Sequence, residues 1–456
     1  MKILPYYLWN STFPPLVSNF AYCERCRKPM SLSFKKYFFK RFIIYIILFL
    51  FSLTTNAFEL FDSVQVHGFA SQTMFMTSGN NMFGPSIRNP SFAFTELGIN
   101  GSWSPLPNLR LSMQLLSRRA GDWHDGSPVI DFGLFDYSFE FDGDYRLGVR
   151  AGRVRQPYGL YNDTRDVAFT RPSILLPQSI YLEGTRDFTI SADGVMIYGE
   201  SRKPWGNLTL ELFGGYARTN DTDTQFSFLY ANYNGSLEPN PSFVGRLNYE
   251  TYDGSLRLAL SGAYTSMTYN PSNAPLPQPS KGSISFNPIV LSAQYNTENW
   301  TFSSEYQMNY FQRSGLDNPL YATTQGLDFD LFGQSYYFQA AYRFAPKWEL
   351  MARYDAMYPN SQDISGKTTE FTSLTQSALA QNPFYYIPAY SQYAKTWTVG
   401  LRYDISPWMM VRAEYNYVNG TAWLPAEGYL GPDGNQDFSK TVKYWDMFGF
   451  LVSLRF

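Results

Sequence analysis

Side chains suited to acid–base, nucleophilic or metal chemistry are scarce in this 456-residue chain. It has only two histidines, His67 and His124, so a His-based triad or a His-rich metal site has little to draw on. The two cysteines, Cys23 and Cys26, have the spacing of a zinc or redox motif, but no second pair accompanies them. Carboxylates are plentiful, yet no spacing singles out an acid–base pair. We therefore expect no enzyme activity, no metal and no cofactor.

Apolar and aromatic residues recur instead at every second position of many segments, and the positions between them hold the charged and polar residues. Residues 397–405 read WTVGLRYDI, and residues 448–456 read FGFLVSLRF. A period of two places the apolar side chains on one face of a β-strand, whereas on a helix the same charges would point in every direction. These segments are therefore predicted to be strands with one apolar and one polar face.

Sixteen such segments follow one another along the chain, and each is about as long as a tilted strand that crosses a bilayer. The connectors alternate between short turns, which contain Gly, Pro, Asn or Asp, and long loops. This alternation is typical of a closed barrel with short periplasmic turns and long extracellular loops. The predicted strands are 63–76, 92–103, 108–118, 130–141, 144–155, 188–199, 207–218, 242–252, 255–267, 286–296, 299–312, 335–345, 347–358, 394–405, 408–419 and 443–456.

The composition fits a surface that meets lipid on one side and water on the other. Aromatic residues make up 18% of the chain and charged residues 16%, while the mean hydropathy of −0.29 is too polar for a helical membrane protein. Trp and Tyr near the strand ends predict aromatic girdles at both membrane interfaces. The alternative is a soluble β-protein that packs the same rings in its core. We expect an all-β, transmembrane antiparallel β-barrel of about sixteen strands in contact with outer-membrane lipid, in the outer membrane of a Gram-negative-type bacterium.

The first 57 residues have the pattern of a targeting segment. Lys35, Lys36, Lys40 and Arg41 precede an apolar stretch at 42–53, which is followed by Thr-Asn-Ala at 55–57. This pattern predicts a signal peptide over residues 30–57, and its apolar stretch is short for a membrane anchor, the alternative reading. Residues 1–29 are then an N-terminal extension from a mis-assigned start, and residues 58–456 form the barrel.

The polar strand faces point into the barrel if the apolar faces meet lipid. Their many charges could not fill a dry core, because burying unpaired charge is too costly, but they suit a water-filled lumen. Six arginines from strands eight, nine and twelve to fifteen could form a basic wall, or each could pair with a neighbouring acid. The residues predicted to line the lumen are Arg110, Arg146, Arg150, Arg246, Arg257, Arg343, Arg353, Arg402, Arg412, Glu140, Glu305 and Asp355.

This arrangement resembles the general diffusion porins, a family of sixteen-stranded and often trimeric outer-membrane barrels. The resemblance covers residues 58–456 in architecture, although the acidic Pro-Glu-Phe-Gly-Gly-type segment of many members is absent. It implies passive diffusion of small hydrophilic solutes or ions, a possible homotrimer, and recognition of the C-terminal Phe456 by the barrel-assembly machinery.

In that family the third long loop folds into the lumen and sets its constriction, and here that loop spans about 156–187. The resemblance therefore implies that charged residues of this loop screen solutes by size and by local field. The alternative is an outward surface loop with solvated charges. The loop mixes acids with arginines and has no Lys, which leaves the ion preference open and ranks a phosphate-selective channel lower. The predicted constriction residues are Asp163, Arg165, Asp166, Arg171, Glu183, Arg186 and Asp187.

Two other functions remain open. A substrate-specific channel could use the aromatic residues of the outer loops as a stacking surface for sugars, or these rings could simply pack against one another. A surface barrel could act as an adhesin or phage receptor through the loops at 359–393 and 420–442. Eight of the 36 Lys and Arg residues lie within residues 1–57, which leaves the remainder acidic and argues against a nucleic-acid partner. The aromatic residues of the proposed stacking surface are Phe384, Tyr385, Tyr386, Tyr390 and Tyr393.

Overall fold

The computed structural model describes most of the chain from residue 58 onwards. The described residues are 58–61, 63–121, 123–219, 222–229, 233, 235–273, 278–317, 328–380, 386–425, 429 and 437–456. The predicted extension at 1–29, the predicted signal peptide at 30–57 and both cysteines lie outside the described residues.

Sixteen long strands, numbered here in chain order, form the molecule. They are β1 (Val64–Thr77), β2 (Ser91–Leu106), β3 (Leu109–Ala120), β4 (Asp125–Phe141), β5 (Tyr145–Arg155), β6 (Ser191–Lys203), β7 (Gly206–Ala217), β8 (Pro241–Glu250), β9 (Leu256–Pro271), β10 (Gly282–Asn296), β11 (Trp300–Ser314), β12 (Phe329–Ala345), β13 (Trp348–Tyr358), β14 (Ala394–Ser406), β15 (Met409–Gly420) and β16 (Tyr444–Arg455).

Each long strand pairs antiparallel with the next, and β16 pairs with β1 to close the ring. At this seam Met447 lies opposite Thr77 and Arg455 lies opposite Phe69. Two short strands add to the barrel: Phe58–Phe61 pairs with the start of β1, and Gly235–Pro239 pairs with the end of β9. The predicted all-β, antiparallel barrel of sixteen strands is confirmed.

The outer surface of the barrel is apolar. Leu97, Ile99, Leu212, Leu260 and Val399 each expose more than 40% of their surface, although they belong to regular strands. An exposed apolar surface of this extent is unfavourable in water and favourable in lipid, so this belt is the membrane-facing side. Aromatic side chains border the belt: Trp103, Trp205 and Trp300 near the short turns, and Tyr216, Tyr264, Tyr310, Tyr417 and Tyr444 near the long loops.

The short turns use residues that tolerate left-handed backbone angles. Three residues, Asp142 to Asp144, join β4 to β5. Asp142 and Gly143 have φ values of 51° and 70°, as the two central residues of a type I′ turn require, and the Asp144 N–H donates to the Phe141 carbonyl at 3.2 Å. Gly254, between β8 and β9, has a φ of 69°. Tight turns of this kind fix the register of the strands on either side.

Helices occur in the long connections. They are α1 (Arg186–Ile190), α2 (Thr222–Leu229) and α3 (Lys367–Ala380), with 3₁₀ turns at Asn162–Thr164, Ala168–Thr170, Glu183–Thr185, Ala389–Gln392 and Phe438–Lys440. Among the described residues, no helix has both the length and the apolar character needed to span a membrane.

Four strand starts differ from the predicted ones by three residues or more. β4 begins at Asp125 rather than at 130, β10 at Gly282 rather than at 286, and β12 at Phe329 rather than at 335. These three strands extend towards the long loops, where the apolar alternation that marks lipid contact is no longer needed. β6 begins at Ser191 rather than at 188 because α1 occupies residues 186–190.

Candidate functional site

Residues 156–190, called the inner loop here, connect β5 to β6. Arg155 and Ser191 lie directly opposite each other in the β5–β6 ladder, so the inner loop leaves and rejoins the wall at one place. Its residues are almost all buried, and only Asp163, Thr164 and Thr170 are exposed. The inner loop therefore lies against other parts of the protein over most of its length.

One anchor of the inner loop is the carboxylate of Glu305 on β11. It accepts hydrogen bonds from the Leu160 N–H (2.9 Å) and from the hydroxyls of Tyr181 (2.7 Å), Tyr337 (3.0 Å) and Ser292 (2.6 Å). Ser292 of β10 and Tyr337 of β12 hold the carboxylate in place, while Leu160 and Tyr181 belong to the inner loop. Hydrogen bonds to a charged acceptor are stronger than neutral ones, so the latter two hold the loop firmly to β11. Burial and the nearby Glu305 raise the pKa of Tyr181 well above its ordinary value, so its hydroxyl keeps the proton that it donates.

A second anchor lies on the opposite side of the barrel, eight strands from β5. Arg353 of β13 donates to the Ser173 hydroxyl at 2.9 Å, and Arg412 of β15 donates to the Ser173 carbonyl at 3.0 Å. The Ile174 N–H donates to Glu414 at 2.6 Å. Because the inner loop begins at β5 and bonds to β11, β13 and β15, it crosses the inside of the barrel.

Buried ion pairs form a third set of anchors, between the inner loop, β2 and β3. Glu96 of β2 accepts from Arg171 (2.8 Å) and from Arg118 of β3 (3.2 Å). Glu183 pairs with Arg118 and, at 3.4 Å, with Arg165. Buried charges are tolerated only when they are paired in this way. Burial alone would raise the pKa of Glu183, but Arg118 and Arg165 outweigh it and hold that pKa below its ordinary value.

Asp166 forms a similar group with Arg186 of the inner loop and Arg155 at the end of β5, and Arg155 also pairs with Asp131 of β4. Burial, together with Arg118 and Arg165, lowers the pKa of Arg186 to about 9, which still leaves it charged at neutral pH.

Most of the predicted constriction residues therefore do not face open space. Arg165, Asp166, Arg171, Glu183 and Arg186 are each 5% exposed or less. This differs from the sequence-based expectation of solute-facing charges, because each finds a partner of opposite sign within the protein. Asp163 keeps 41% of its side chain exposed, and Asp187 keeps 23% while it pairs with Arg218 at 3.6 Å.

Asp163 faces the wall formed by β4 to β8. It pairs with Arg246 of β8 at 2.7 Å, and Arg246 also pairs with Glu211 of β7 at 2.6 Å. On the same wall Arg150 pairs with Asp136 at 3.0 Å, and both retain contact with solvent. This wall is the part of the lumen next to the inner loop where paired charges and water meet.

The predicted lining residues divide into two groups. Arg110, Arg146, Arg150, Arg257, Arg343, Arg402 and Glu140 are exposed or half-buried inside the barrel. The other five lie under or against the inner loop and are buried: Arg246, Arg353, Arg412, Glu305 and Asp355.

Of the six arginines that could have formed a basic wall, four pair with acids and two bond to neutral groups. Arg246, Arg343, Arg353 and Arg402 have carboxylate partners. Arg257 donates to Asn248 at 2.8 Å, and Arg412 donates to backbone carbonyls. Pairing with neighbouring acids is thus the main arrangement, and a continuous basic wall is not formed.

Apolar clusters at the level of the inner loop were missed by the sequence analysis. Phe169 and Ile174 pack in a cluster with Phe83, Trp423 and other side chains of the outer loops. Phe188 of α1 contacts Phe228 of α2, with their ring centres 5.0 Å apart. The only signal in the sequence was the apolar run Ile-Leu-Leu at 174–176, because the partners come from distant loops.

The proposed aromatic stacking surface falls partly outside the described residues, which do not include Phe384 and Tyr385. Tyr386 donates to Glu370 at 2.8 Å, and Tyr390 donates to the Thr441 carbonyl at 3.1 Å. The first contact lies within the connection between β13 and β14, and the second joins that connection to the one before β16. Within the described residues no group of three or more His, Cys, Asp or Glu is arranged to hold a metal ion.

Solved structures with a similar fold are outer-membrane channels of low sequence identity. An anion-selective porin from Comamonas acidovorans matches 86% of this chain and 99% of its own, with 14% identity and a TM-score of 0.51. OprB of Pseudomonas putida matches 86% and 94%, with 11% identity and a TM-score of 0.51. The outer-membrane channel DcaP of Acinetobacter baumannii matches 86% and 97%, with 11% identity and a TM-score of 0.50.

No protein-family model and no curated protein sequence matches the chain. At these identities the likeness concerns the fold, which is that of the outer-membrane porins. Together with the apolar outer belt, this fold points to the bacterial outer membrane as the location of the chain.

Proposed function

We propose that the chain is an outer-membrane channel through which small hydrophilic solutes or ions diffuse passively, without catalysis. The observation that carries this proposal is the inner loop, which crosses a sixteen-strand barrel and leaves a charged, water-accessible wall on β4 to β8. A barrel of this size without a crossing segment would leave a wide aqueous lumen. The inner loop narrows that lumen, so permeation depends on solute size and on the field next to Asp163.

The direct test is the conductance of the purified barrel in a planar lipid bilayer, with the reversal potential measured under a salt gradient. We expect discrete current steps with modest ion selectivity, because acids and arginines alternate along the accessible wall. Membranes that stay silent at all voltages would contradict passive diffusion.

A second candidate is a substrate-specific channel, and the depth of burial of the inner loop favours it. With all but three of its residues covered, the loop leaves less free cross-section than a simple rim around an open pore would. Low conductance that is blocked by one class of solute and not by others would identify this function.

The proposal also includes contacts with lipid, with the assembly machinery and with other copies of the chain. The apolar belt contacts membrane lipid, Phe456 contributes to recognition by the barrel-assembly machinery, and the barrel forms a homotrimer. Sedimentation of the detergent-solubilised protein tests the trimer, because its mass is three times that of one chain.

A further inference from the structure

Two lysines lie close together at the long-loop rim of the outer surface. Lys395 is the second residue of β14 and shares the outward face with Trp397, which is 60% exposed. It lies opposite Asn419 of β15, and Asn419 lies opposite Tyr444 of β16. Lys443 immediately precedes Tyr444, and Tyr393 lies beside both lysines, because its ring faces the Lys395 nitrogen and its hydroxyl accepts a hydrogen bond from Lys443.

Tyrosine rings surround both ammonium groups. The Lys395 nitrogen is 5.2 Å from the ring centre of Tyr393 and 5.7 Å from that of Tyr358. The Lys443 nitrogen is 4.8 Å from the ring centre of Tyr444. The hydroxyls of Tyr444 and Tyr393 raise the pKa of Lys443, so it remains charged. Ring faces attract a cation but do not neutralise it.

The positive charges of these two lysines are not paired with carboxylates in the described part of the chain. Within the described residues, neither Lys395 nor Lys443 pairs with a carboxylate, whereas Lys203 and Lys440 pair with Asp144 and Asp437. Asp446 lies on the same face of β16, two residues after Tyr444, and accepts a hydrogen bond from Tyr415 at 2.6 Å. The rim therefore carries two adjacent positive charges that are available to an anion.

The position of these lysines relative to the membrane surface indicates which anion they bind. Tyr417 and Tyr444 are stacked, 6.5 Å apart, in the aromatic girdle of the long-loop side, and such girdles lie at the level of lipid headgroups. A lysine at this level extends its ammonium group towards the phosphates. We infer that Lys395, Lys443 and the surrounding tyrosines bind the phosphate of a lipid headgroup in the outer leaflet. This inference rests on the proposed membrane location, but not on the passage of solutes through the lumen.

The test measures how much phosphatidic acid stays bound to the protein when it is extracted from phosphatidylcholine nanodiscs that contain a minor fraction of phosphatidic acid. The variant is Lys395→Gln with Lys443→Gln. The matched control is Lys203→Gln with Lys347→Gln, which removes two lysines from the short-turn rim. We expect a several-fold loss of bound phosphatidic acid in the first variant and retention at the wild-type level in the control.

Equal retention in the two double variants would overturn the inference, since Lys395 and Lys443 would then matter no more for the lipid than lysines of the short-turn rim. Displacement of the lipid by inorganic phosphate would also overturn it, because the site would then bind a free anion. Single-channel conductance of the Lys395/Lys443 variant should match that of the wild type. Failure of lipid binding is thus distinguished from failure of the channel.

Discussion

At the scale of residues, the electrostatics of the lumen depend on which charges remain in contact with water. Asp163 is the most exposed of the seven predicted constriction residues, while five of the others are buried in ion pairs. A buried pair contributes little field outside the protein, whereas an accessible carboxylate acts directly on passing ions. The ion preference is therefore governed by Asp163 more than by its buried neighbours.

We expect Asp163→Asn to shift the reversal potential towards anions, because Arg246 keeps only Glu211 as an acidic partner and the wall becomes more positive. The measurement is the reversal potential under a salt gradient. Asp253→Asn is the control, since it removes the same charge from an exposed short turn. A shift of equal size in the control would show that Asp163 has no special position.

Glu305 accepts two hydrogen bonds from the inner loop, from the Leu160 N–H and the Tyr181 hydroxyl, so its replacement should loosen the loop. We expect Glu305→Ala to weaken docking by roughly 2 kcal/mol, the cost of losing hydrogen bonds to a charged group, and to increase current fluctuations in the open channel. Glu250→Ala, at the short-turn end of β8, is the control. Unchanged current noise in Glu305→Ala would mean that the other anchors suffice.

His124 makes the stability of the loop region depend on pH. Burial and the nearby Arg118 lower the pKa of His124 from 6.5 to about 4, although Asp187 acts in the opposite direction. Between these two values the unfolded chain binds a proton that the folded chain does not, so stability falls as the pH falls through this window. We expect His124→Gln to reduce the slope of the unfolding midpoint between pH 7 and pH 4. His67→Gln, an exposed change in β1, is the control, and an equal reduction of the slope in both variants would show that the effect is not specific to the buried His124.

Residue positions were easier to predict from the sequence than residue partners. Alternation correctly placed Arg353 and Glu305 on inward faces, because a strand has only two faces. It could not show that Arg353 meets Ser173, 180 residues away, or that Tyr181 meets Glu305. Such pairs depend on the path of the inner loop, which local patterns do not encode.

At the scale of elements, the inner loop is a separable part of the barrel. Arg155 and Ser191 are paired in the β5–β6 ladder, so a short turn can replace residues 157–189 without changing the register of the strands. We expect this deletion to increase single-channel conductance several-fold, because it removes the segment that crosses the lumen.

The control for the deletion is removal of α3 from the loop between β13 and β14. Phe371 and Leu379 of that helix are 73% and 80% exposed, so it lies at the surface and should not affect conductance. Equal conductance in the inner-loop deletion and the wild type would contradict the role given to the loop.

Strands were predicted well and the helices of the long connections were not. The sixteen strands carry a period of two because lipid imposes it along their length. α2 and α3 lie in connections that lipid does not contact, where only packing between loops selects a helix. For the same reason the extensions of β4, β10 and β12 towards the long loops escaped prediction.

At the scale of the whole molecule, one seam completes the barrel. Phe456 exchanges backbone hydrogen bonds with Gly68, at 3.0 and 3.1 Å, and its ring covers the space where a side chain of Gly68 would lie. We expect Phe456→Ala to lower the temperature at which the barrel loses its compact electrophoretic mobility. Phe450→Ala, an exposed change in the middle of β16, is the control. An equal decrease in both variants would assign the effect to lost apolar surface rather than to the seam.

The same seam has a consequence for how the chain reaches its final state. β1 and β16 are adjacent in space but lie at opposite ends of the described sequence, so their ladder has the largest sequence separation in the barrel. Contacts of this kind form slowly, because a long stretch of chain must be ordered before they contribute. Until they form, β1 and β16 each present an unpaired edge that can join another chain. The seam is therefore the step at which folding competes most directly with aggregation.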